Sequence, residues 1–316
     1  MIDPAWWRRC ALVAAGCLLL MSTAPPLSAQ GKTNFAELKA RAETEDAEAQ
    51  SDVGWAYYNG DGVAEDAIEA VRWFRRSAEQ GNASGQDRLG VAYHYGKGVP
   101  KDVAQALAWY KRAADQGFVH AQLNLARTYN NGFGVPRDYK EAALWYRKAA
   151  EQGHAEAQSD LGVAYVNGEG VKKDKREAER WFMKASAQGY AVATFSIASM
   201  YWNGEFGHSF IIGRVAFKEF ERAAAQGYPL SALTLGEIYT RRTRYNNRDD
   251  QRSCMWTVVA ETLEKRNEWE RRQPAATAEV RRKLPALLGR VRQTLTQQQL
   301  TECAAQAQAW LTAHTK

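Results

Sequence analysis

Aromatic and small apolar positions recur along this chain at a fixed distance of 36 residues. Tryptophan, tyrosine and glycine each follow this period between residues 47 and 190. The recurring residues are Trp73, Trp109, Trp145 and Trp181; Tyr57, Tyr93, Tyr129 and Tyr165; and Gly81, Gly117, Gly153 and Gly189. A fixed period of this length indicates stacked copies of one supersecondary unit. The predicted repeats are 47–82, 83–118, 119–154, 155–190, a longer fifth repeat at 191–228 and a partial repeat from 229 that ends near 240.

Each repeat has the pattern of two helices joined by a turn. In the fourth repeat, Leu161 and Tyr165 fall on one helical face. Gly168 and Gly170 then predict a turn, because glycine adopts backbone angles that other residues resist. Asp174 starts the second helix, since its side chain can accept hydrogen bonds from the free amides of a helix start.

Small residues recur opposite the tryptophans. Gly54 on the first helix and Ala70 on the second have glycine or alanine at the equivalent places in later repeats. We expect these positions to bring the paired helices together, with the ring of Trp73 and its equivalents in the space between them. One repeat cannot bury its apolar face alone, so stacked repeats must share a core. Trp109→Ala is then expected to cost about 3–5 kcal/mol, as other large core truncations do.

The first 29 residues have the pattern of a secretory signal peptide. Two arginines precede a mostly apolar run over 10–24, and small residues lead to an expected cleavage after Ala29. The run is shorter than the roughly 20 apolar residues that span a bilayer. A lipobox at Cys17 and a twin-arginine signal are weaker interpretations. We expect a periplasmic or secreted chain with a lead-in segment at 30–46 and no membrane span.

The composition is that of a globular protein, 45% hydrophobic and 25% charged, which argues against wholesale disorder. The net charge of +6 is uneven, because residues 241–316 hold 15 basic and 8 acidic side chains. Beyond the signal peptide the cysteines are Cys254 and Cys303. In an exported chain two cysteines predict one disulfide, and two free buried thiols are the alternative.

The recurring segments Ala-Glu-Ala-Gln, Leu-Gly-x-x-Tyr, Gly-x-Gly-Val, Ala-x-x-Trp-Phe and Ala-x-x-Gln-Gly resemble the Sel-one-like repeat, a relative of the tetratricopeptide repeat. The resemblance covers about residues 47–239. It implies an all-α, right-handed solenoid of about six helix pairs whose first helices line a concave groove. Residues 241–316 resemble the helical cap of such proteins, with Cys254 and Cys303 tying its ends together. Bacterial members are typically exported scaffolds that hold other proteins.

By analogy with related helical repeats, certain first-helix side chains face that groove. The candidate partner-binding residues are Trp55, Tyr58, His94, Tyr95, Arg127, Asn131, Asn167 and Trp202. A row of aromatic, amide and arginine side chains suits an extended peptide, and aromatic and arginine residues are common interface hot spots. The alternative for Asn131 and Asn167 is structural, because each precedes a glycine, where asparagine helps to end a helix.

Two other surfaces are candidates for partner binding. Phe206, Phe210 and Ile211 lie in the irregular turn of the fifth repeat, where Glu219 replaces the tryptophan. This segment is either a contact surface or a local repacking.

The second surface is a cluster of arginines near the start of the cap, with Arg241, Arg242 and Arg244. Such a cluster can meet an acidic partner, an anionic glycan or a membrane surface, or it is a solvated loop.

Catalysis has little support in the sequence. No serine is followed three residues later by lysine, no phosphate loop occurs, and the five histidines lack metal-ligand spacing. We therefore expect no catalytic residue, metal or cofactor and no nucleic-acid partner. The predicted function is a non-catalytic protein–protein interaction scaffold in the bacterial cell envelope. The alternatives are a protein of the same repeat family that binds or hydrolyses cell-wall peptides or β-lactams, and a secreted factor that binds a host protein.

Overall fold

The computed structural model describes residues 27–207, 210–241, 248–266 and 273–314, and over these ranges it contains helices and no strand. The fold is therefore all-α, as predicted. The helices are α1 Leu27–Glu43, α2 Ala47–Asn59, α3 Ala67–Glu79, α4 Ala83–Tyr95, α5 Val103–Asp115, α6 Val119–Asn131, α7 Tyr139–Glu151, α8 Ala155–Asn167, α9 Lys175–Ala187, α10 Ala191–Trp202, α11 Phe210–Ala225, α12 Pro229–Tyr239, α13 Asp250–Lys265, α14 Pro274–Thr294 and α15 Gln297–His314.

The chain comprises two compact units, Met1–Gln116 and Gly117–Lys316. The first unit contains α1–α5 and the second contains α6–α15. Helix α1 covers most of the predicted lead-in segment, and Ala42 near its end is buried against the first repeat. Most of the predicted signal peptide, residues 1–26, lies outside the described residues.

Hydrogen bonds fix both ends of the turn in each regular repeat. In the first repeat, α2 ends at Gly60, which has left-handed backbone angles with φ 77°. Asp66 caps α3, because one carboxylate oxygen accepts hydrogen bonds from the amides of Ile68 and Glu69. The amide of Asp66 also donates to the carbonyl oxygen of Tyr57. The same arrangement recurs in the later regular repeats, where the side chain of an aspartate caps the second helix and its backbone amide donates to a tyrosine carbonyl. These aspartates are Asp102, Asp138 and Asp174.

The glycine of the first helix, such as Gly54, packs against an aromatic ring of the second helix. That ring belongs to the residue that follows the repeated tryptophan. A Cβ atom at Gly54 would lie 2.6 Å from the ring of Phe74, which is fully buried. The same approach recurs between Gly90 and Tyr110 and between Gly162 and Phe182. These rings fill the space between the paired helices, which corrects the assignment of that space to the tryptophans.

The tryptophans pack elsewhere and to different extents. Trp73 belongs to a buried cluster with Ala42 of α1 and with residues of α2. Trp145 and Trp181 are also buried, whereas Trp109 is only half-buried, so its predicted core role is weaker than that of the others. A basic side chain three residues further on lies over each ring. These cations are Arg76 at 4.8 Å, Arg112 at 4.4 Å, Lys148 at 3.7 Å and Lys184 at 3.9 Å from the ring centroids.

Buried glutamine side chains join consecutive repeats. In the first unit, Nε2 of Gln86 donates to the carbonyl oxygen of Ala78, in the preceding second helix, at 3.3 Å. Its Oε1 accepts a hydrogen bond of 2.8 Å from Gln116, at the end of its own repeat. The same bridge is made by Gln50 with Ala42 and Gln80, and by Gln158 with Ala150 and Gln188. The carbonyl of Ala78 also accepts from the backbone amide of Gly81, so the bridge adds a second, long-range hydrogen bond at the helix end and fixes the spacing of the repeats.

The second glycine of the turn permits close contact with the preceding repeat. A Cβ atom on Gly98 would lie 2.0 Å from the carbonyl oxygen of Ala67, and one on Gly170 would lie 1.8 Å from that of Tyr139. Both carbonyls belong to the first residue of the preceding second helix. By contrast, a Cβ atom on Gly189 would meet no atom within 4 Å, although its φ is also positive at 83°.

The fifth repeat keeps its helix pair and repacks around the missing tryptophan. Phe220 on α11 is fully buried. The ring of Phe217 contacts Trp202 and Tyr239 with centroid distances of 5.4 and 5.6 Å. Glu219, at the tryptophan position, pairs with Arg222 at 3.4 Å. The packing therefore supports the repacking interpretation of this segment.

Helices α12 and α13 form a sixth pair. Asp249 caps α13 by accepting from the amide of Arg252, and its own amide donates to the carbonyl of Tyr239, as in the regular repeats. The chain between them includes 242–247, which lies outside the described residues. The sixth pair thus extends to Lys265, and the cap that follows consists of α14 and α15.

The C-terminal helices are joined by the predicted disulfide. Cys254 of α13 and Cys303 of α15 are bonded, with their Cα atoms 6.0 Å apart and a separation of 49 positions in the sequence. Both lie in a buried cluster with Val291 of α14. A cross-link that closes a loop of this length contributes about 3–4 kcal/mol on the chain-entropy model.

We predict that Trp73→Ala lowers the free energy of unfolding by about 3–5 kcal/mol, because it leaves a large cavity in a buried cluster. Trp109→Ala should lower the free energy of unfolding by a clearly smaller amount, because the half-buried ring of Trp109 makes fewer packing contacts. Equilibrium chemical denaturation followed by circular dichroism measures both losses. Equal losses for the two variants would contradict the difference in burial.

The turn glycines provide a second test. Gly189→Ala should lower the free energy of unfolding by about 1–2 kcal/mol, the usual cost of left-handed backbone angles in alanine. Gly170→Ala should cost roughly 3 kcal/mol or more, because its methyl group also collides with the preceding repeat. Thermal melts of the two variants check the order, and a milder effect at Gly170 would rule out the close contact.

Candidate functional site

The eight predicted groove residues divide equally between the two units. Trp55, Tyr58, His94 and Tyr95 lie in the first, and Arg127, Asn131, Asn167 and Trp202 lie in the second.

Trp55 and Tyr58 form a stacked aromatic pair on α2. Their ring centroids are 5.5 Å apart and their planes differ by 9°. Residues three apart on a helix are neighbours on its surface, so the helical spacing places these rings side by side. Trp55 is 39% exposed, and Tyr58 is half-buried with its ring centroid 6.0 Å from that of Phe74. The pair therefore presents an aromatic face that is supported from below by the core.

Two cations from the second repeat lie over these rings. The guanidinium carbon of Arg88 is 5.2 Å from the ring centroid of Trp55, and Nζ of Lys97 is 4.1 Å from that of Tyr58. Both distances are within the range of cation–π attraction. The aromatic face is thus assembled from neighbouring repeats.

Each of these cations is also held by polar partners. Arg88 pairs with Asp52 at 2.9 Å and donates to the hydroxyl of Ser51 at 2.8 Å. Lys97 pairs with Glu65 at 2.9 Å and donates to the backbone carbonyl of Tyr58 at 2.7 Å.

Tyr95 lies at the end of α4, two residues before Lys97, whose ammonium group lies over the Tyr58 ring. Its side chain is 71% exposed, and the imidazole of His94 lies 4.9 Å from its ring. Burial, together with Lys101, lowers the pKa of His94, and burial raises the pKa of Tyr58. Both side chains therefore stay uncharged near neutral pH. We call Trp55, Tyr58 and Tyr95, with Arg88 and Lys97, the aromatic surface.

A pocket of about 500 Å³ opens beside the aromatic surface. Its apolar wall is formed by Phe35 and Leu38 of α1 and by Trp55. Asp52 and Asp61 supply carboxylates to the lining. Asp52 is paired with Arg88, whereas Asp61 has no ion pair among the described residues. The pocket therefore combines apolar walls with an available negative charge.

In the second unit, Arg127 is bound within the repeat array. Its guanidinium pairs with Glu156, and with Asp160 at 3.3 Å. Burial opposes the charge of Arg127, but the two carboxylates more than offset this and hold its pKa above the ordinary value. Burial raises the pKa of Asp160 to about 6, and Arg127 limits the rise. The predicted partner contact at Arg127 therefore competes with an existing ion-pair network.

The other predicted residues of the second unit have local roles. Asn131 and Asn167 are the exposed last residues of α6 and α8, and each precedes a glycine with left-handed backbone angles. This position fits the helix-ending alternative for both. Trp202 is half-buried against the largest buried cluster of its unit, where it contacts Phe217. We assign Trp202 to the core.

Of the fifth-repeat candidates, the two with described side chains differ in exposure. Phe206 is half-buried, and its ring lies 5.5 Å from that of Tyr201. Ile211 is 73% exposed. The side chain of Phe210 is not among the described residues. Of the basic candidates, Arg241 is exposed, and Arg242 and Arg244 lie outside the described residues.

Sequence reasoning missed the two cations of the aromatic surface. The signal was present, because Asp52 and Arg88 are 36 residues apart and so occupy the same position in adjacent repeats. Opposite charges at one position of stacked repeats predict an ion pair between them.

The described part of the chain offers no metal site and no spanning helix. No group of three or more His, Cys, Asp or Glu side chains there has an arrangement that could hold a metal ion. None of its helices combines the length and apolar character needed to cross a bilayer.

Comparisons with known proteins agree with the repeat boundaries. A profile of the Sel1 repeat matches residues 47–82, 83–118, 119–154 and 155–190. A solved Sel1 repeat protein from Oxalobacter formigenes is similar with 29% sequence identity and a TM-score of 0.62, over 69% of this chain and 89% of that one.

A curated relative is the secretory immunoglobulin A-binding protein EsiB of Escherichia coli. It is 37% identical over 67 residues, which are 21% of this chain and 13% of that protein. This chain thus matches only a small part of that relative. The four matched repeats, the helix pairs that they form and the similarity to a solved repeat protein lead to one conclusion: residues 47–190 of this chain are four Sel1 repeats, within the all-α solenoid type of fold.

Proposed function

We propose that this protein is a non-catalytic scaffold of the bacterial cell envelope, and that a segment of its partner protein binds to the aromatic surface of the first unit. Sel1 repeat proteins are generally scaffolds for protein–protein interaction. The binding of a partner segment to this surface and the location in the cell envelope are both parts of what we propose.

The observation that carries the proposal is the exposed, supported aromatic pair with Tyr95 beside it. Trp55 and Tyr95 are 39% and 71% exposed, which is unusual for rings of this size unless they contact something. Tryptophan, tyrosine and arginine are the residues that most often dominate binding energy at protein interfaces. The aromatic surface places all three together.

The side chains of the aromatic surface are also preorganised in the absence of a partner. The stacking of Trp55 on Tyr58 and the ion pairs of Arg88 and Lys97 restrain side chains that would otherwise lose freedom on binding. Restraint of this kind reduces the entropy cost of association.

The neighbouring pocket indicates which side chains the partner would offer. Phe35, Leu38 and Trp55 form walls suited to an apolar side chain, and Asp61 provides a carboxylate for an adjacent basic residue. We therefore expect the bound segment to contain an apolar anchor next to lysine or arginine.

Other features support the envelope assignment and the absence of catalysis. The signal-peptide pattern and the disulfide fit an oxidising compartment. The absence of a Ser-x-x-Lys motif argues against β-lactam chemistry. EsiB is by name an immunoglobulin-binding protein, which agrees with a protein partner in general but identifies none for this chain.

A capture experiment tests the proposal. The chain from residue 30 onward is the bait in envelope extract, in parallel with the variant Trp55→Ala/Tyr95→Ala, and bound proteins are quantified by mass spectrometry. The partner should bind the wild type and be lost by about thirtyfold or more from the variant, since truncation of a hot spot costs 2 kcal/mol or more.

Ile68→Ala is the matched control, because Ile68 is a 64% exposed apolar residue on α3 of the same unit. The control should capture the partner as wild type does, and all three chains should have the same thermal melt. Equal recovery of every specifically bound protein by the wild type and the double variant would disprove a role for the aromatic surface.

A further inference from the structure

A separate pocket in the second unit has the composition of an anion site. It has a volume of about 250 Å³ and lies between the end of α12 and the middle of α14. Its lining residues are Glu237, Thr240, Arg241, Arg282, Lys283, Ala286, Leu287 and Arg290. Four of these residues are cationic and one is acidic, so the lining carries a net charge of +3 (four positive charges minus one).

The helical spacing of α14 places the two arginines that line the pocket from this helix on opposite sides of a small residue. Arg282, Ala286 and Arg290 are four residues apart, so they follow one another along a single helical face. The short side chain of Ala286 leaves space between the arginines, and Arg241 approaches from α12. Leu287, which is 4% exposed, belongs to the buried cluster beneath the pocket.

The acidic side chains nearby are already engaged by the one lysine. Nζ of Lys283 lies 3.5 Å from a carboxylate oxygen of Glu237 and 2.9 Å from one of Glu279. When Glu279 is counted, the net charge around the pocket is still +2. The excess positive charge is thus carried by the three arginines.

The three arginines differ from the lysine in their contacts. Among the described residues, the guanidinium groups of Arg241, Arg282 and Arg290 make no hydrogen bond or ion pair with protein groups. This differs from Arg88 and Arg127, which are held by carboxylates. An arginine cannot relieve its repulsion from neighbouring cations by losing a proton at physiological pH. An anion is then the group that offsets this charge.

The geometry points to a phosphate dianion as the ligand class: we infer that the pocket between α12 and α14 binds a phosphate group through Arg241, Arg282 and Arg290. A guanidinium group donates two parallel hydrogen bonds to a phosphate, and a tetrahedral dianion can accept such pairs from several directions. A single carboxylate has one plane and one charge, so it matches three convergent arginines less well. The phosphate is either a free ion or the headgroup of a lipid.

Calorimetric titration of the chain from residue 30 onward with inorganic phosphate, at constant ionic strength, tests the inference. One saturable site per chain is expected, and acetate should not bind to it. The variant Arg282→Gln/Arg290→Gln should bind phosphate about tenfold more weakly or worse, because it lacks charge-assisted hydrogen bonds. Both arginines are exposed, so the thermal melt should not change.

Arg292→Gln is the matched control, because Arg292 is an exposed residue of α14 that does not line the pocket. It should bind phosphate as the wild type does. Vesicles of phosphatidylcholine with phosphatidic acid separate the two sources. Vesicle binding that is lost in the double variant assigns a lipid headgroup, and phosphate binding without vesicle binding assigns a soluble phosphate.

Failure of both phosphate and the vesicles to bind would overturn the inference. Equal weakening by Arg292→Gln would overturn it too, since binding would then reflect the general charge of α14. Neither result bears on the aromatic surface of the first unit, which has its own test.

Discussion

The contact on which the regular repeats depend is a buried glutamine that joins a repeat to the helix before it. Gln86 and Gln158 each donate to a carbonyl at the end of the preceding second helix, and Gln50 donates to one near the end of the lead-in helix α1. Each of the three accepts from a glutamine of its own repeat. Helix ends leave carbonyls without partners, and a buried carbonyl without a partner is costly. The bridge adds a side-chain donor to these carbonyls, beside the backbone amides of Gly81 and Gly153 that already bond to Ala78 and Ala150, and it sets how far apart neighbouring repeats lie.

The candidate binding surface follows from that spacing. Trp55 and Tyr58 belong to the first repeat, whereas Arg88 and Lys97 belong to the second, so the cations reach the rings only if the two repeats are stacked closely. The same stacking pairs Arg127 with carboxylates of the following repeat. Stacking therefore makes one arginine part of an exposed aromatic face and occupies another in an ion-pair network.

Much of the fold was predictable because its signals are local or periodic. The 36-residue period defined the repeats, and the aspartate caps and turn glycines defined the helix pairs. What the sequence did not show was which residues meet across the stack. The ring over Gly54 is that of Phe74 rather than Trp73, and Arg127 is paired with residues 29 and 33 positions away. Such contacts depend on side-chain direction and on the offset between repeats, which periodicity alone does not specify.

The most direct test of the account is the free energy of unfolding of Gln86→Leu. Leucine has nearly the same size, and burial alone favours it over glutamine. If the bridge joins the repeats, the substitution removes one hydrogen bond from the carbonyl of Ala78 and the shorter of the two made by the side-chain amide of Gln116. Unfolding should then become easier by about 1–3 kcal/mol, since each lost hydrogen bond costs about 0.5–1.5 kcal/mol. An unchanged or higher stability would show that the repeats do not depend on the glutamine bridge.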